Sequence, residues 1–167
     1  MTVNIDITKE LKAVEKLIKS DINKEKTILG LYNYIFKSDG KKIRSRLNLI
    51  ASSSSKNSDR YKLASIIELL HTATLVHDDV VDNASTRRGA ISVNSLWSNA
   101  HGVLIGDYIY SKAFMLMVEI GKKDILAELA DATNDISQGE LIQLDAISNI
   151  KISLNKLKKI SYFKTGR

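Results

Sequence analysis

Residues 68–82 read Glu68-Leu69-Leu70-His71-Thr72-Ala73-Thr74-Leu75-Val76-His77-Asp78-Asp79-Val80-Val81-Asp82, within a helical stretch from Asp59 to about Asp82. At about 100° per residue, His71, Asp78 and Asp82 fall on one stripe roughly 40° wide, with Asp79 about 100° round from Asp78. Asp78 and Asp82 stand one turn apart, about 6 Å along the axis. Two acids that close repel unless a cation lies between them. A hard divalent ion that keeps some water and takes one or two carboxylates plus phosphates fits the spacing, and Mg²⁺ is the usual one. The competing reading is a solvated acidic helix end, since i,i+4 acids are common on surfaces. Leu69, Leu70, Leu75, Val76, Val80 and Val81 weigh against it, because they make this a largely buried helix, where unpaired acids are costly.

Two basic groups flank the acids. Thr86-Arg87-Arg88-Gly89 comes soon after Asp82, and paired guanidinium groups offer forked donors to phosphate oxygens. Salt bridges from the arginines to Asp78, Asp79 or Asp82 are the plainer alternative. Upstream stands Gly40-Lys41-Lys42-Ile43-Arg44, where Lys41 and Arg44 are expected on the first turn of a helix, projecting the same way. Free N–H groups at that helix start add anion affinity, although a motif of this kind standing alone reads by default as a solvated basic face. GxxxxGK[ST] and its preceding strand are absent, so this is not a P-loop. A site with both signs of charge, acids for a metal and arginines for phosphate, would hold a magnesium-bound diphosphate.

Around this centre the chain reads as helix throughout. Leu11, Val14, Leu17 and Ile18 predict a first helix capped by Thr8 or Asp6. Ile28, Leu31, Tyr32 and Ile35 predict a second, ended by Ser38-Asp39-Gly40. A third runs from Lys41 to about Ser53 with Ile43, Leu47 and Ile50 inward, and a polar loop covers Ser52–Asp59. Asn83–Gly89 is a polar turn, Ser92–Ala100 a short helix, and His101–Gly121, Lys123–Ile147 and Asn155–Lys164 are three more helices. No strand-like alternation or internal repeat appears, so the expectation is an all-α domain over residues 1–167. The 167 residues are 44% hydrophobic, enough for one core. Without cysteine there is no disulfide, thiolate metal site or cysteine nucleophile, and without proline the helices run uninterrupted. The net charge of +6 suits anionic partners without choosing among them. Nucleic acid is disfavoured, since the basic residues are scattered and aromatics few. The start MTVNIDITKELK has no signal pattern, and Glu68 and His71 break the most apolar stretch, Leu63–Val76. The expectation is a soluble cytoplasmic protein with no transmembrane segment.

In order along the chain, Gly40-Lys41-x-x-Arg44, Leu70-His71-Thr72-x-x-Leu75-Val76-His77-Asp78-Asp79-x-x-Asp82, Arg87-Arg88-Gly89, Asn94, Gly106-Asp107, Gly139-Glu140-x-x-Gln143 and Lys164-Thr165 resemble the trans-polyprenyl diphosphate synthases. The wording is most similar to the octaprenyl and related long-chain members. The resemblance implies an isoprenoid-synthase helical bundle that adds isopentenyl diphosphate to an allylic prenyl diphosphate. It implies that Lys41, Arg44, His71 and Arg88 hold the isopentenyl diphosphate group. Asp78 and Asp82 would ligate Mg²⁺ on the allylic diphosphate, Arg87 would contact the same group, and Lys164 and Thr165 would touch the allylic substrate. Metal-assisted loss of diphosphate would give an allylic carbocation, attacked by the isopentenyl double bond before a proton is lost. Ala73 and Thr74, five and four residues before Asp78, are small where bulky aromatics close the family's hydrocarbon tunnel, which implies a long product.

Three departures accompany the likeness. Ser45 and Ile91 stand where the family has prolines, and the family's second aspartate-rich motif lies beyond the equivalent of Thr165. The chain is therefore expected to be an N-terminal half, truncated before the second aspartate-rich helix, with little or no activity alone. It would be a homodimer, or a heteromer with a complementing chain. The alternative is a catalytically incomplete fragment or non-catalytic helical subunit that dimerises with a complete synthase. His77 and His101 read as structural, Tyr108, Tyr110, Phe114 and Met115 as core or dimer interface, and Asp107 as a buried anchor or a substrate contact.

Overall fold

The computed structural model describes residues 6–37, 40–55, 57–147 and 149–166. Ser38 and Asp39 of the expected break, Lys56 of the polar loop, and Arg167 lie outside the described residues. The chain divides into one unit ending at Ile120 and another beginning at Gly121.

In the first unit, helix α1 (Ile7–Ile18) starts where the Asp6 carboxylate accepts the Lys9 N–H at 3.1 Å, so Asp6 rather than Thr8 is the cap. Its stripe Leu11, Val14 and Ile18 is buried. Helix α2 (Lys26–Ile35) buries Leu31 and Tyr32, and the Tyr32 hydroxyl donates to the Ile18 carbonyl at 2.7 Å. After α3 (Ile43–Ala51) come the two long helices of the unit, α4 (Asp59–Val81) and α6 (Asn99–Ile120), with α5 (Val93–Leu96) between them. The core lies where α4 packs on α6. Leu69, Leu70, Ala73 and Val76 are buried from α4, and Ile105, Ile109, Ala113, Leu116, Met117 and Ile120 from α6. The i,i+3/i+4 spacing of both sets is the helical period that the sequence carries. The buried Lys112 ammonium donates to the Ser20 carbonyl beyond the end of α1, which satisfies a charge inside an apolar face.

Two expectations need correction. Ile43, Leu47 and Ile50 do not point inward: they are 57%, 61% and 51% exposed. The residues of α3 that are buried are Ser45 and Leu49, one turn apart. The Ser45 hydroxyl shares its proton between the Ala64 carbonyl at 3.1 Å and the Glu68 carboxylate at 2.9 Å, tying α3 to α4 on that side. Periodicity identifies a helix but not which of two stripes meets the core, and here hydrogen bonding turns the apolar stripe outward. The second correction is at 83–91. Thr86–Arg87 (β1) and Ala90–Ile91 (β2) form an antiparallel pair, with Thr86 opposite Ile91 and Arg87 opposite Ala90. Strands this short leave no alternation to read.

In the second unit, α7 (Lys123–Leu144) packs with α8 (Leu154–Ser161) and a π-helical turn, Tyr162–Gly166. The Ser153 hydroxyl caps α8 by accepting the Lys156 N–H at 3.2 Å. Among the described residues no helix is long and apolar enough to cross a membrane.

Candidate functional site

The lower half of α4 meets the hairpin and the segment before α3 around two adjoining cavities. The larger, about 430 Å³, is walled by Ile18 of α1, Tyr34 and Ile35 of α2, Phe36 at the α2 C-cap, and Leu75 and Val76 of α4, with Asp79, Arg87 and Arg88 at its charged side. The smaller, about 370 Å³, is lined by Gly40, Lys41, Lys42, Ile43, Arg44, Glu68, His71 and Arg88. Gly40, Lys42, Glu68, His71 and Arg88 border both. The fold thus brings Lys41, Arg44, His71 and Arg88 to one small cavity from three separate segments.

The reason for this convergence differs from the expected one at Lys41. Helix α3 begins at Ile43, and its cap Lys42 is left-handed with φ 48°, so Lys41 precedes the helix rather than sharing its first turn with Arg44. The turn at Lys42 brings Lys41 to the cavity instead. Lys42 itself pairs with Glu15, which holds the Glu15 carboxyl below the usual range.

His71 faces Arg44, with the guanidinium NH1 3.3 Å from its Nε2. An arginine only donates, so Nε2 is the bare acceptor and the ring proton sits on Nδ1. Burial first, and then the charges of Arg44, Arg88 and Arg87, bring the His71 pKa from 6.5 to about 4. The unfolded chain therefore takes up the proton more readily than the folded one between these values. The stability contributed by neutral His71 is complete above pH 6.5 and is lost as the pH falls toward about 4. Melting temperatures from pH 7.5 to 4.5 are expected to fall less steeply for His71→Asn than for the parent chain.

The three aspartates divide. Asp79 is buried, and Arg87 grips it through Nε, 2.7 Å from both carboxylate oxygens, and through NH2 at 2.7 Å from Oδ1. The hydrogen bonds that Arg87 donates to Asp79, then the charges of Asp79, Asp78 and Asp82, strengthen the protonated guanidinium against the opposing effect of burial. Of the two readings of the arginine pair, the ion pair with an aspartate holds for Arg87. Among the described residues Arg88 has no hydrogen bond or ion pair. Asp78 is half-buried, and Asp82, the exposed C-cap of α4, donates its N–H to the Asp78 carbonyl at 2.8 Å.

Among the described residues no three His, Asp or Glu side chains gather around a cation-sized point. Two carboxylates one turn apart suit an ion that completes its shell with water and phosphate, and they do not make a cage of their own. Asp78 and Asp82 therefore fit Mg²⁺ only as part of a metal–diphosphate complex.

Of the two residues expected to set product length, Ala73 is fully buried and Thr74 half-buried with its hydroxyl donating to the His71 carbonyl at 2.9 Å. Neither lines the two cavities. His77 lies 3.3 Å from Asp107 and 3.2 Å from the Val103 carbonyl, bridging α4 and α6, and His101 is 2.8 Å from the Ser98 hydroxyl. Asp107 is exposed, as are Phe114 and Met115, so none of the three is a buried anchor or core residue. Within the second unit Lys164 pairs with Glu140 and donates to the Gln143 amide oxygen at 2.9 Å, while Thr165 is exposed. Sequence reasoning misses the apolar wall from α1 and α2 and the role of Glu68, because contacts between residues so far apart leave no local signal.

The polyprenyl synthetase family model matches residues 6–167. Octaprenyl diphosphate synthase of Escherichia coli K12 is 33% identical over 168 residues, which cover 99% of this chain and 52% of that protein. The crystal structure of a decaprenyl diphosphate synthase from Rhodobacter capsulatus superimposes with a TM-score of 0.89 at 32% identity, over 95% of this chain and 50% of that one. A polyprenyl synthase from Caulobacter crescentus CB15, complexed with calcium and isoprenyl diphosphate, gives 0.90 at 32% identity, over 94% and 49%. The chain spans about half the length of the curated relatives it matches.

Proposed function

The chain belongs to the polyprenyl synthetase family, and from that membership we propose that it carries the diphosphate-binding half of a long-chain all-trans prenyltransferase. The observation that carries the reading is the cavity where Lys41, Arg44, His71 and Arg88 meet. Four donors around a space of that size suit a diphosphate group, and Arg44 and Arg88 offer planar forks to its oxygens. In this reading the group belongs to isopentenyl diphosphate, and neutral His71, whose Nε2 accepts from Arg44, has its Nδ1–H left to donate. The apolar wall of Leu75, Val76 and Phe36 excludes water beside it. Asp78 and Asp82 hold Mg²⁺ on the allylic diphosphate, and Arg87, steered by Asp79, faces the same group. The ion, when bound, neutralises charge on the departing diphosphate. Lys164 and Thr165 serve the allylic substrate, and the small side chains of Ala73 and Thr74 permit a long product.

A second reading, that this chain works only with another polypeptide, as a homodimer or with a complementing half, is favoured by exposed apolar side chains. Ile43, Leu47 and Ile50 on α3, and Leu104, Met115 and Val118 on α6, are each more than half exposed. Faces of this kind mark association surfaces. The test is incorporation of isopentenyl diphosphate into farnesyl diphosphate with Mg²⁺, by the chain alone and with candidate complementing chains. Product is expected only with a complementing chain. Turnover by the isolated chain would refute the need for one, and inactivity in every combination, with no diphosphate bound, would refute the enzyme reading.

A further inference from the structure

Arg88 sits on the tip of the β1–β2 hairpin, where it and Gly89 form the two-residue turn. Both have positive φ, 51° and 80°, as a type I′ hairpin turn requires. Glycine accepts that conformation freely, but an arginine does so only against a steric penalty. The chain therefore keeps a strained residue at a position where glycine would be easier, and strain of this kind collects at functional sites. Opposite the turn lies Gly40. A Cβ placed on Gly40 would come within 2.6 Å of Arg88 NH1, 3.5 Å of its Cζ and 3.8 Å of NH2. The guanidinium thus lies directly over the bare Cα of Gly40, at the common border of the two cavities.

We infer that Gly40 is a positioning residue for Arg88: the missing side chain and the left-handed turn together hold this guanidinium, which makes no ion pair among the described residues, where the diphosphate arrives. Arg87 and Arg88 are then aimed by different means. Asp79 grips Arg87 by charge, whereas Arg88 is placed by clearance and backbone geometry and keeps its charge for the ligand. This rests on the diphosphate reading of the cavity and adds which residue sets the conformation of its Arg88 cation.

The test is a double-mutant cycle on the full chain with Gly40→Ala and Arg88→Gly, using inorganic pyrophosphate as the probe in calorimetric titrations without metal. Gly40→Ala changes no charge, so its effect reports placement. It is expected to weaken pyrophosphate binding by about tenfold, the loss of one charge-assisted hydrogen bond. Arg88→Gly is expected to lose at least as much affinity while raising the melting temperature by a few degrees, since the turn strain is released. In the Arg88→Gly background, Gly40→Ala should cost nothing further. An equal loss in both backgrounds, or no loss in either, overturns the inference. So does an unfolded Gly40→Ala variant, because the clash falls only on the tip of one exposed side chain. If the parent chain binds no pyrophosphate, the diphosphate reading fails on its own account, and the arginine Nε–H resonances of the unliganded chain decide this one. A shift of the Arg88 signal in Gly40→Ala, with Arg87 unmoved, supports it; an unmoved Arg88 signal overturns it.

Discussion

Asp79→Ala is expected to lower the stability of the chain by about 2 kcal/mol, below the ~3–5 kcal/mol typical when one partner of a fully buried ion pair is removed. The reduction reflects Arg87, whose side chain is 34% exposed and can turn to water once its partner is gone. What is lost is a contact between α4 and the hairpin that no other described side chain duplicates at Arg87. Alanine at Asp78 or Asp82 should cost much less, because one is half-buried and the other exposed. Urea unfolding of the three variants gives the comparison. A value for Asp79→Ala within about 0.5 kcal/mol of the parent, the range of ordinary surface substitutions, would mean that the Arg87 pair does not order the hairpin in solution.

Asp78→Ala and Asp82→Ala are each expected to abolish the part of diphosphate binding that depends on Mg²⁺. The structure offers no third acid to take over, since no cluster of three metal-binding side chains forms among the described residues. If both carboxylates were to hold the ion, the loss of either would leave one carboxylate for a cation that dehydrates reluctantly. Asp79→Ala should matter less to this metal dependence, since its two oxygens are already committed to Arg87. Pyrophosphate titrations with and without Mg²⁺ separate the cases. Retained metal enhancement in both Asp78→Ala and Asp82→Ala would remove these residues from the ion's shell.

Much of this arrangement is legible in the residues themselves. The helical period of α4 and α6 is strong because both bury long apolar stripes, and the spacing of Asp78 and Asp82 is that of one helical turn. Three features are not legible, each for a physical reason. The outward turn of Ile43, Leu47 and Ile50 depends on a hydroxyl at Ser45 finding Ala64 and Glu68, a contact across the chain. Which of the three aspartates pairs with Arg87 depends on Arg87 returning through a hairpin too short for strand alternation. The left-handed backbone at Arg88 has no sequence marker, because arginine seldom occupies it.

The central claim is that Arg44, His71 and Arg88 form a diphosphate site from this chain's residues alone. Its most direct test is a metal-free calorimetric titration of isopentenyl diphosphate into the chain and its Arg44→Ala variant. Saturable one-to-one binding that weakens at least about tenfold in the variant, as the loss of a charged hydrogen bond implies, is the predicted result. Absence of saturation, or equal affinity in both proteins, would contradict it.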